Sequence, residues 1–278
     1  MNEFMQDVAV IVVFYNPSDK QLQNFENLNK DICVIGVDNS PSEHKVYITN
    51  YLPQFKNRGI AAAQNVGIRK AVDLGYKYII FFDQDSLVSL EFIENMKKEY
   101  ISISKADTRM GLLGPIVVEE ATNIAYKNLA NPQEEFCIVS DIISSGMFLN
   151  TEVARIIGPL EEELFIDYVD CEWCWRASDK GILTYMTGNV LLRHTVGNKY
   201  FSIFGIHFGV SSAFRYYYQY RNVFWLFIRT YAPAKWKRKI LFRLLADFFV
   251  IPVISDEHIQ VTKNMLQGVV DGFKKKRK

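Results

Sequence analysis

Two short stretches carry carboxylates at spacings that suit chemistry. Phe81-Phe82-Asp83-Gln84-Asp85-Ser86 closes an apolar run with acids at i and i+2. On extended backbone such side chains share one face, and in a turn they can converge on one ion. Oxygen-only ligands suit Mg²⁺ or Mn²⁺, which keep waters and bridge to a diphosphate. The same pair also reads as an acidic turn that caps the following helix. The second stretch, FIDYVDCEWCWRA, holds Asp167, Asp170 and Glu172 within six residues. Crowding of this kind raises a carboxylate's pKa and favours proton acceptance. Acids at a helix start also complement its dipole without any further role. Cys171 and Cys174 form a single C-x-x-C, which is poor support for zinc; on a helix they are small apolar groups near one face. His194 follows an apolar run, where a lone histidine is a satisfied core residue or a ligand. Arg176 can pair with the acids beside it or with phosphate.

These residues need elements to position them. DVAVIVVFY is a buried strand by its β-branched density, and NPSD after it turns into a helix. DICVIGVDNS and YKYIIFFDQDS are two more strands. Between them, Ile60, Ala63, Val66, Ile68 and Val72 follow helical spacing, with Gly75 as the stop. Leu90 to Ser104 is a further helix. Strands alternating with helices give an α/β domain with a largely parallel sheet. Ligands of such sheets bind beyond the carboxyl ends of the strands. Those ends carry Asn16, then Asp38 and Asn39, then Asp83, Gln84 and Asp85, so one crevice should collect all three groups. No G-x-G-x-x-G follows the first strand and no G-x-x-x-x-G-K-[ST] occurs, which removes the usual dinucleotide and P-loop readings.

Composition narrows the class further. The chain has 278 residues, 49% hydrophobic and 23% charged, which suits a globular protein and excludes disorder as the main state. Four scattered cysteines do not make a disulfide scaffold. The acidic N-terminus lacks a signal-like apolar run, which reads as cytosolic. The longest apolar candidate for a membrane span, 240–254, contains Arg243 and Asp247, and falls short of the roughly 20 residues a span needs. The net charge of +1 conceals polarity. From Lys199 onward there are 9 Lys and 6 Arg against 3 Asp and 1 Glu, a net +11, while the first 198 residues carry −10. Chemistry in an acidic body and attachment through a basic, aromatic tail are the implied tasks, with a solvated basic surface as the plain alternative. No nucleic-acid recognition motif is present. Residues 255–272 read as an amphipathic helix with Ile259, Met265, Leu266, Val269 and Val270 on one face.

The segments VVFYN, VDNS, NRGIAAAQNVGIRKA, FFDQDS, SSGMFLN, FIDYVDCEWCWRASDKG and LRHTVGN occur in an order that resembles family 2 glycosyltransferases of the GT-A fold. The set is most similar to the bacterial L-rhamnosyltransferase branch of polysaccharide and O-antigen synthesis. It covers about residues 8 to 200, and RYYYQYRN extends it into the tail. The resemblance implies a Rossmann-like, mostly parallel sheet flanked by helices in a catalytic domain over 1–200. A helical, basic and aromatic extension over 201–278 would meet the acceptor or a membrane. Phe14, Tyr15 and Asn16 would line the nucleotide pocket, and Asp38 would accept the pyrimidine imide N–H. Asn57, Gly59, Asn65 and Gly67 would shape the loop and helix beside the donor. Asp83 and Asp85 would serve a Mg²⁺ or Mn²⁺ ion and the diphosphate, with His194 completing the site. Asp170 would be the catalytic base. The family's usual Glu-Asp pair is Val169-Asp170 here, a departure typical of the rhamnosyl branch.

The expectation is therefore an inverting, metal-dependent glycosyltransferase, with dTDP-L-rhamnose as donor. A glycan or polyprenyl-diphosphate-linked molecule would be the acceptor, at an anionic membrane surface on the cytoplasmic side of a bacterial cell membrane. A UDP-hexose or UDP-galactofuranose donor is the first alternative. A nucleotidyltransferase would need a basic phosphate-gripping loop after the first strand, and NPSDK is a poor one. An inactive sugar-nucleotide-binding scaffold is opposed by intact Asp83, Asp85 and Asp170.

Overall fold

The first apolar run becomes β1 (Val8–Phe14), and all seven of its residues are buried. Its even-numbered side chains, Val8 to Phe14, face one hydrophobic cluster, and Ala9, Ile11 and Val13 face another. Burial on both faces explains why the run reads as continuously apolar. The structure, a computed structural model, describes residues 3–119, 134–194, 199–203 and 206–274. α1 (Asp19–Leu28) starts at a capping box between Ser18 and Gln21. β2 (Cys33–Asp38), β3 (Asn50–Pro53), α2 (Ile60–Asp73), β4 (Tyr78–Asp83) and α3 (Leu90–Ala106) follow. Then come β5 (Met110–Glu119), β6 (Phe136–Val139), β7 (Phe148–Asn150), α4 (Thr151–Ile157), α5 (Val169–Asp179) and β8 (Leu183–His194).

The sheet order is β3-β2-β1-β4-β7-β5-β8-β6. β3, β2, β1 and β4 run parallel, β7 is antiparallel to both its neighbours, and β5 and β8 are parallel. Apolar side chains of α1 and α3 cover one face of the sheet. Those of α2, α4 and α5 cover the other, with Trp173 and Trp175 among the largest buried groups. Register fixes the strand ends: Phe14 pairs with Asp38 across β1–β2, and Val13 with Asp83 across β1–β4. The three polar clusters therefore end side by side, as the sequence implied. β3 was not foreseen. It is a half-buried edge strand ending in Pro53, with none of the β-branched density of its neighbours.

A hairpin of β9 (Lys199–Ile203) and β10 (Ile206–Val210) leads to α6 (Ala213–Phe227), α7 (Ala234–Ile254) and α8 (His258–Lys274). These helices share a separate cluster around Tyr216, Tyr220, Val223, Ile240, Leu244, Val261 and Met265. α8 corrects the expected single apolar face. Val261, Met265, Gly268 and Gly272 are its buried line, whereas Ile259, Leu266 and Val270 are exposed. The buried line contains two glycines, which hydrophobicity does not mark. At Gly268 an added Cβ would lie 2.4 Å from the Tyr217 carbonyl oxygen, so the glycine allows α8 to approach α6 closely. Among the described residues, no helix is long and apolar enough to cross a membrane.

Candidate active site

Asp38 ends β2 in a nearly closed environment. Its Oδ1 accepts from the Ser40 backbone N–H (2.8 Å), and its Oδ2 accepts from the Tyr51 hydroxyl (2.6 Å) and contacts His44 Nδ1 (2.8 Å). Burial pushes this carboxyl up, but hydrogen bonds from Ser40, Tyr51 and His44 outweigh it and hold the pKa below its ordinary value. Ser40, Tyr51 and His44 thus take up most of its acceptor positions within the protein. Tyr51 comes from β3, the strand the sequence did not announce. Phe14 places its ring in the core, edge-on to Phe25. Tyr15 and Asn16 instead reach the surface, and Asn16 adopts φ 45° while its N–H donates to Ser40 Oγ.

The 57–67 segment acts as scaffold. The Gly59 N–H donates to Asn57 Oδ1 (3.0 Å), and its carbonyl accepts from Asn39 Nδ2 (2.9 Å). Gly59 has φ +85°, and a Cβ there would lie 2.5 Å from the Phe165 carbonyl oxygen, so only glycine fits. Asn65 is buried and bonds to both backbone groups of Leu160, with Glu162 as a further partner. Its amide braces the loop before the acidic segment. Gly67 lets α2 lie against Ile11 of β1.

Asp83 lies at the end of β4, and the Ser86 N–H closes a turn on its carbonyl (3.0 Å). Gln84 pairs its side-chain amide with the Tyr15 backbone, Oε1 accepting from N–H (2.8 Å) and Nε2 donating to the carbonyl (3.3 Å). Asp85 is exposed beside it. The side chain of His194 lies outside the described residues. Among the described residues no three His, Cys, Asp or Glu side chains form a metal cluster. Two carboxylates on one turn nevertheless fit a hard cation that takes its other ligands from diphosphate and water.

The three acids of the second motif have three different surroundings. Asp167 is held in an ion pair by the Arg215 guanidinium. Burial works against the charge on Arg215, but Asp167 and the nearby Asp83 hold its pKa above the ordinary value. Glu172 is fully buried, bound by Arg176 through Nε and Nη2 (both 2.8 Å) and by the Tyr231 hydroxyl (2.8 Å). Arg176 also donates to the Ile157 and Pro159 carbonyls, so it serves the fold. Asp170 is held by no cation or hydroxyl side chain among the described residues: Oδ1 takes the Cys171 N–H (2.8 Å), Oδ2 the Ser144 N–H (3.2 Å), and the Cys171 thiol is a further partner. Burial drives its pKa up, with Asp141 adding to the rise, while the backbone N–H groups oppose it. Cys174 is buried and its thiol is pushed up to about 12 by that burial, in keeping with an apolar role.

Asp141, Arg215 and Asn222 are the site residues that sequence reading passed over. Asp141 accepts from Trp175 Nε1 (3.2 Å), and Asp141 lies three residues before the SSGMFLN segment. Asn222 is fully buried on α6, and its Nδ2 donates to the carbonyls of Leu164, Ile166 and Asp167 (2.8–3.0 Å). Arg221 caps Glu163 and Leu164 and lies against the rings of Tyr218 and Trp225. Phe165 stacks on Tyr218 at 4.6 Å. The loop so gripped has positive φ at Phe165, Asp167 and Tyr168, each costing about 1 kcal/mol or more. α6 therefore supplies the bonds that hold Asp170's approach loop.

The fold belongs to a known class. Over 90% of its length the chain superposes on a crystal structure of GalNAc-T7 with UDP, GalNAc and Mn²⁺ (TM-score 0.54, 11% identity), spanning 59% of that chain. Over 88% it superposes on S. aureus TarS (TM-score 0.50, 14% identity), spanning 44% of that chain. Both likenesses give the GT-A glycosyltransferase fold, in chains of which this one spans about half. No protein-family profile matches. The closer kinship is to the dTDP-rhamnosyl transferase RfbF of Shigella flexneri, 31% identical over 296 residues, covering 96% of this chain and 97% of that protein. The chain belongs to this family of GT-A glycosyltransferases and is a glycosyltransferase.

Proposed function

We propose that the chain is an inverting, metal-assisted rhamnosyltransferase that moves L-rhamnose from dTDP-L-rhamnose onto a hydroxyl of a glycan or polyprenyl-diphosphate-linked acceptor. The donor rests on the relative's name and its near-complete coverage. The chemistry rests on one observation: Asp170 is the acid of its motif that no arginine or tyrosine side chain holds among the described residues, and its pKa is raised by burial. A carboxylate of raised pKa is a stronger base while still ionised near neutral pH. Asp170 takes the proton of the acceptor hydroxyl as that oxygen bonds to the anomeric carbon. The bond from that carbon to the diphosphate breaks on the opposite side, and its electron pair leaves with dTDP, so configuration inverts. Asp83 and Asp85, with His194 as a third ligand, would hold Mg²⁺ or Mn²⁺, which offsets charge on the diphosphate. Tyr15 and Asn16 flank the nucleotide, and Asp38 is the acceptor offered to a pyrimidine N3–H. Attachment to the cytoplasmic face of an anionic membrane through the C-terminal region would bring a lipid-linked acceptor within reach in cell-surface polysaccharide synthesis.

The test is direct competition among dTDP-rhamnose, UDP-glucose, UDP-galactose and UDP-galactofuranose, with NMR of the product's anomeric configuration. Transfer only from a UDP sugar overturns the donor, and retained configuration overturns the mechanism. Full donor affinity in excess chelator, or in Asp85→Ala, removes the metal from the reading.

A further inference from the structure

α7 and α8 leave much apolar surface uncovered. On α7, Phe242, Leu245, Phe249 and Val253 recur at i, i+3, i+7 and i+11 and are exposed, Phe242 by 78% and Val253 by 82%. On α8, Ile259, Leu266, Val270 and Phe273 form a second exposed line, with Phe273 at 72%. Only Ser255–Glu257 separate the two helices, and they pack on one another as a hairpin. The start of α7 therefore lies beside the end of α8. Consistent with this, Leu241 and Phe273 line one cavity of about 390 Å³ with Phe224, Phe227 and Ile228 from the end of α6. The cavity sets Phe273 of the α8 line beside Leu241, the chain neighbour of Phe242.

Charge is arranged around these two lines. Lys235 and Arg238 are exposed, and helical spacing puts them on the side of Phe242, one and two turns earlier. Lys263 is exposed within the α8 line, and Lys274 ends α8, where the sequence continues as Lys275-Lys276-Arg277-Lys278. The acids on these helices are spent inside the protein: Asp247 pairs with Arg243, and Asp271 with Lys274, Gln267 and Tyr217. Lys235 and Arg238 belong to the open end of the hairpin, beside the paired Lys274. An apolar stripe with cations gathered at one end complements a surface that is anionic outside and apolar within.

We propose that this hairpin face lies on an anionic phospholipid bilayer, with the two stripes in the acyl boundary and the open-end cations against lipid phosphates. The proposal deepens the membrane reading above, on which it rests, by assigning the face and its orientation. Its test is flotation of the full chain with vesicles of phosphatidylglycerol and phosphatidylethanolamine, or of phosphatidylcholine alone. Wild type floats with the anionic vesicles and weakly with the neutral ones. Phe242→Glu with Phe249→Glu lowers partitioning at least tenfold at any salt. Lys235→Glu with Arg238→Glu lowers it on anionic vesicles alone, and Ile156→Glu, exposed on α4, leaves it unchanged. Unchanged melting temperatures check that each variant is folded. If wild type fails to float, the membrane reading itself falls. If it floats and the phenylalanine variants float equally, attachment stands and this face is wrong. Lipid-free dimerisation lost in the same variants would make a second copy the occupant and overturn the proposal.

Discussion

α6 and α7 are consecutive helices that both carry aromatic and basic side chains, yet they spend them in opposite directions. α6 buries Tyr216, Tyr220, Arg221 and Asn222, and all four hydrogen-bond to backbone carbonyls outside α6. α7 anchors its first turn through Trp236 against Trp175 and then turns Phe242 and Phe249 outward. The contrast shows that composition identifies neither role. What separates them is whether a strained loop lies within reach of the polar atoms. α6 has one, at 163–168, and so its Arg and Asn become struts of the active site.

The comparison can be broken most forcefully at the residue the inward helix helps to place. Asp170→Asn keeps size and one acceptor oxygen for the Cys171 N–H but cannot take a proton, so turnover should fall about 10² to 10⁴-fold. Donor affinity, read by calorimetry, should hardly move. Next, Asn222→Ala takes a donor from the Leu164, Ile166 and Asp167 carbonyls, of which Leu164 keeps its Arg221 bond, and a loss of about 1–3 kcal/mol is expected in urea unfolding. The equivalent outward change, Phe242→Ser, should cost under about 0.5 kcal/mol in the same assay. Equal losses would erase the distinction between the helices.

Two further effects test the electrostatics of the inward region. Tyr51→Phe removes a bond to a carboxylate and should cost about 1.5–3 kcal/mol at neutral pH. Because the folded pKa of Asp38 lies below its unfolded value, its stabilisation is present above the unfolded pKa and is lost as pH falls through the folded one. Losing the Tyr51 bond raises the folded value, so acid unfolding should begin at higher pH. Asp170 has the opposite sign. Its raised pKa should place the acid limb of kcat/KM above the roughly 3.9 of a free aspartate. Asp141→Asn removes the like charge and should move that limb to lower pH, by less than about one unit.

Much of this was legible in sequence, for reasons that differ by residue. β1, β2 and β4 are buried on both faces, so they appear as unbroken apolar runs, and their polar ends locate the crevice. Asp170 could be nominated within its motif, but its neighbours Asp167 and Glu172 could not be set aside. Asp167's partner Arg215 lies 48 residues away, and Glu172 adds Tyr231, 59 residues away, to the Arg176 of its own helix. β3 went unseen because an edge strand needs no apolar alternation, and with it went Tyr51's hold on Asp38. Asn222 offered no local signal, since a buried asparagine looks like a solvated one until its three carbonyl partners are in view. The α8 stripe was misjudged because its buried line uses glycine, whose contribution is closeness and not hydrophobicity.

The Gln84 side chain, paired with both backbone groups of Tyr15, works as one extra rung between β1 and β4. It makes the end of β1 and the acidic turn a single mechanical unit. A ligand that orders Tyr15 then also orders the turn bearing Asp85, and a cation on that turn returns the favour by the same factor, since such coupling is reciprocal. Shortening the rung by one methylene, as in Gln84→Asn, would leave both half-sites chemically intact but let them bind as strangers. Donor and metal titrations that depend on each other in the native chain would become independent.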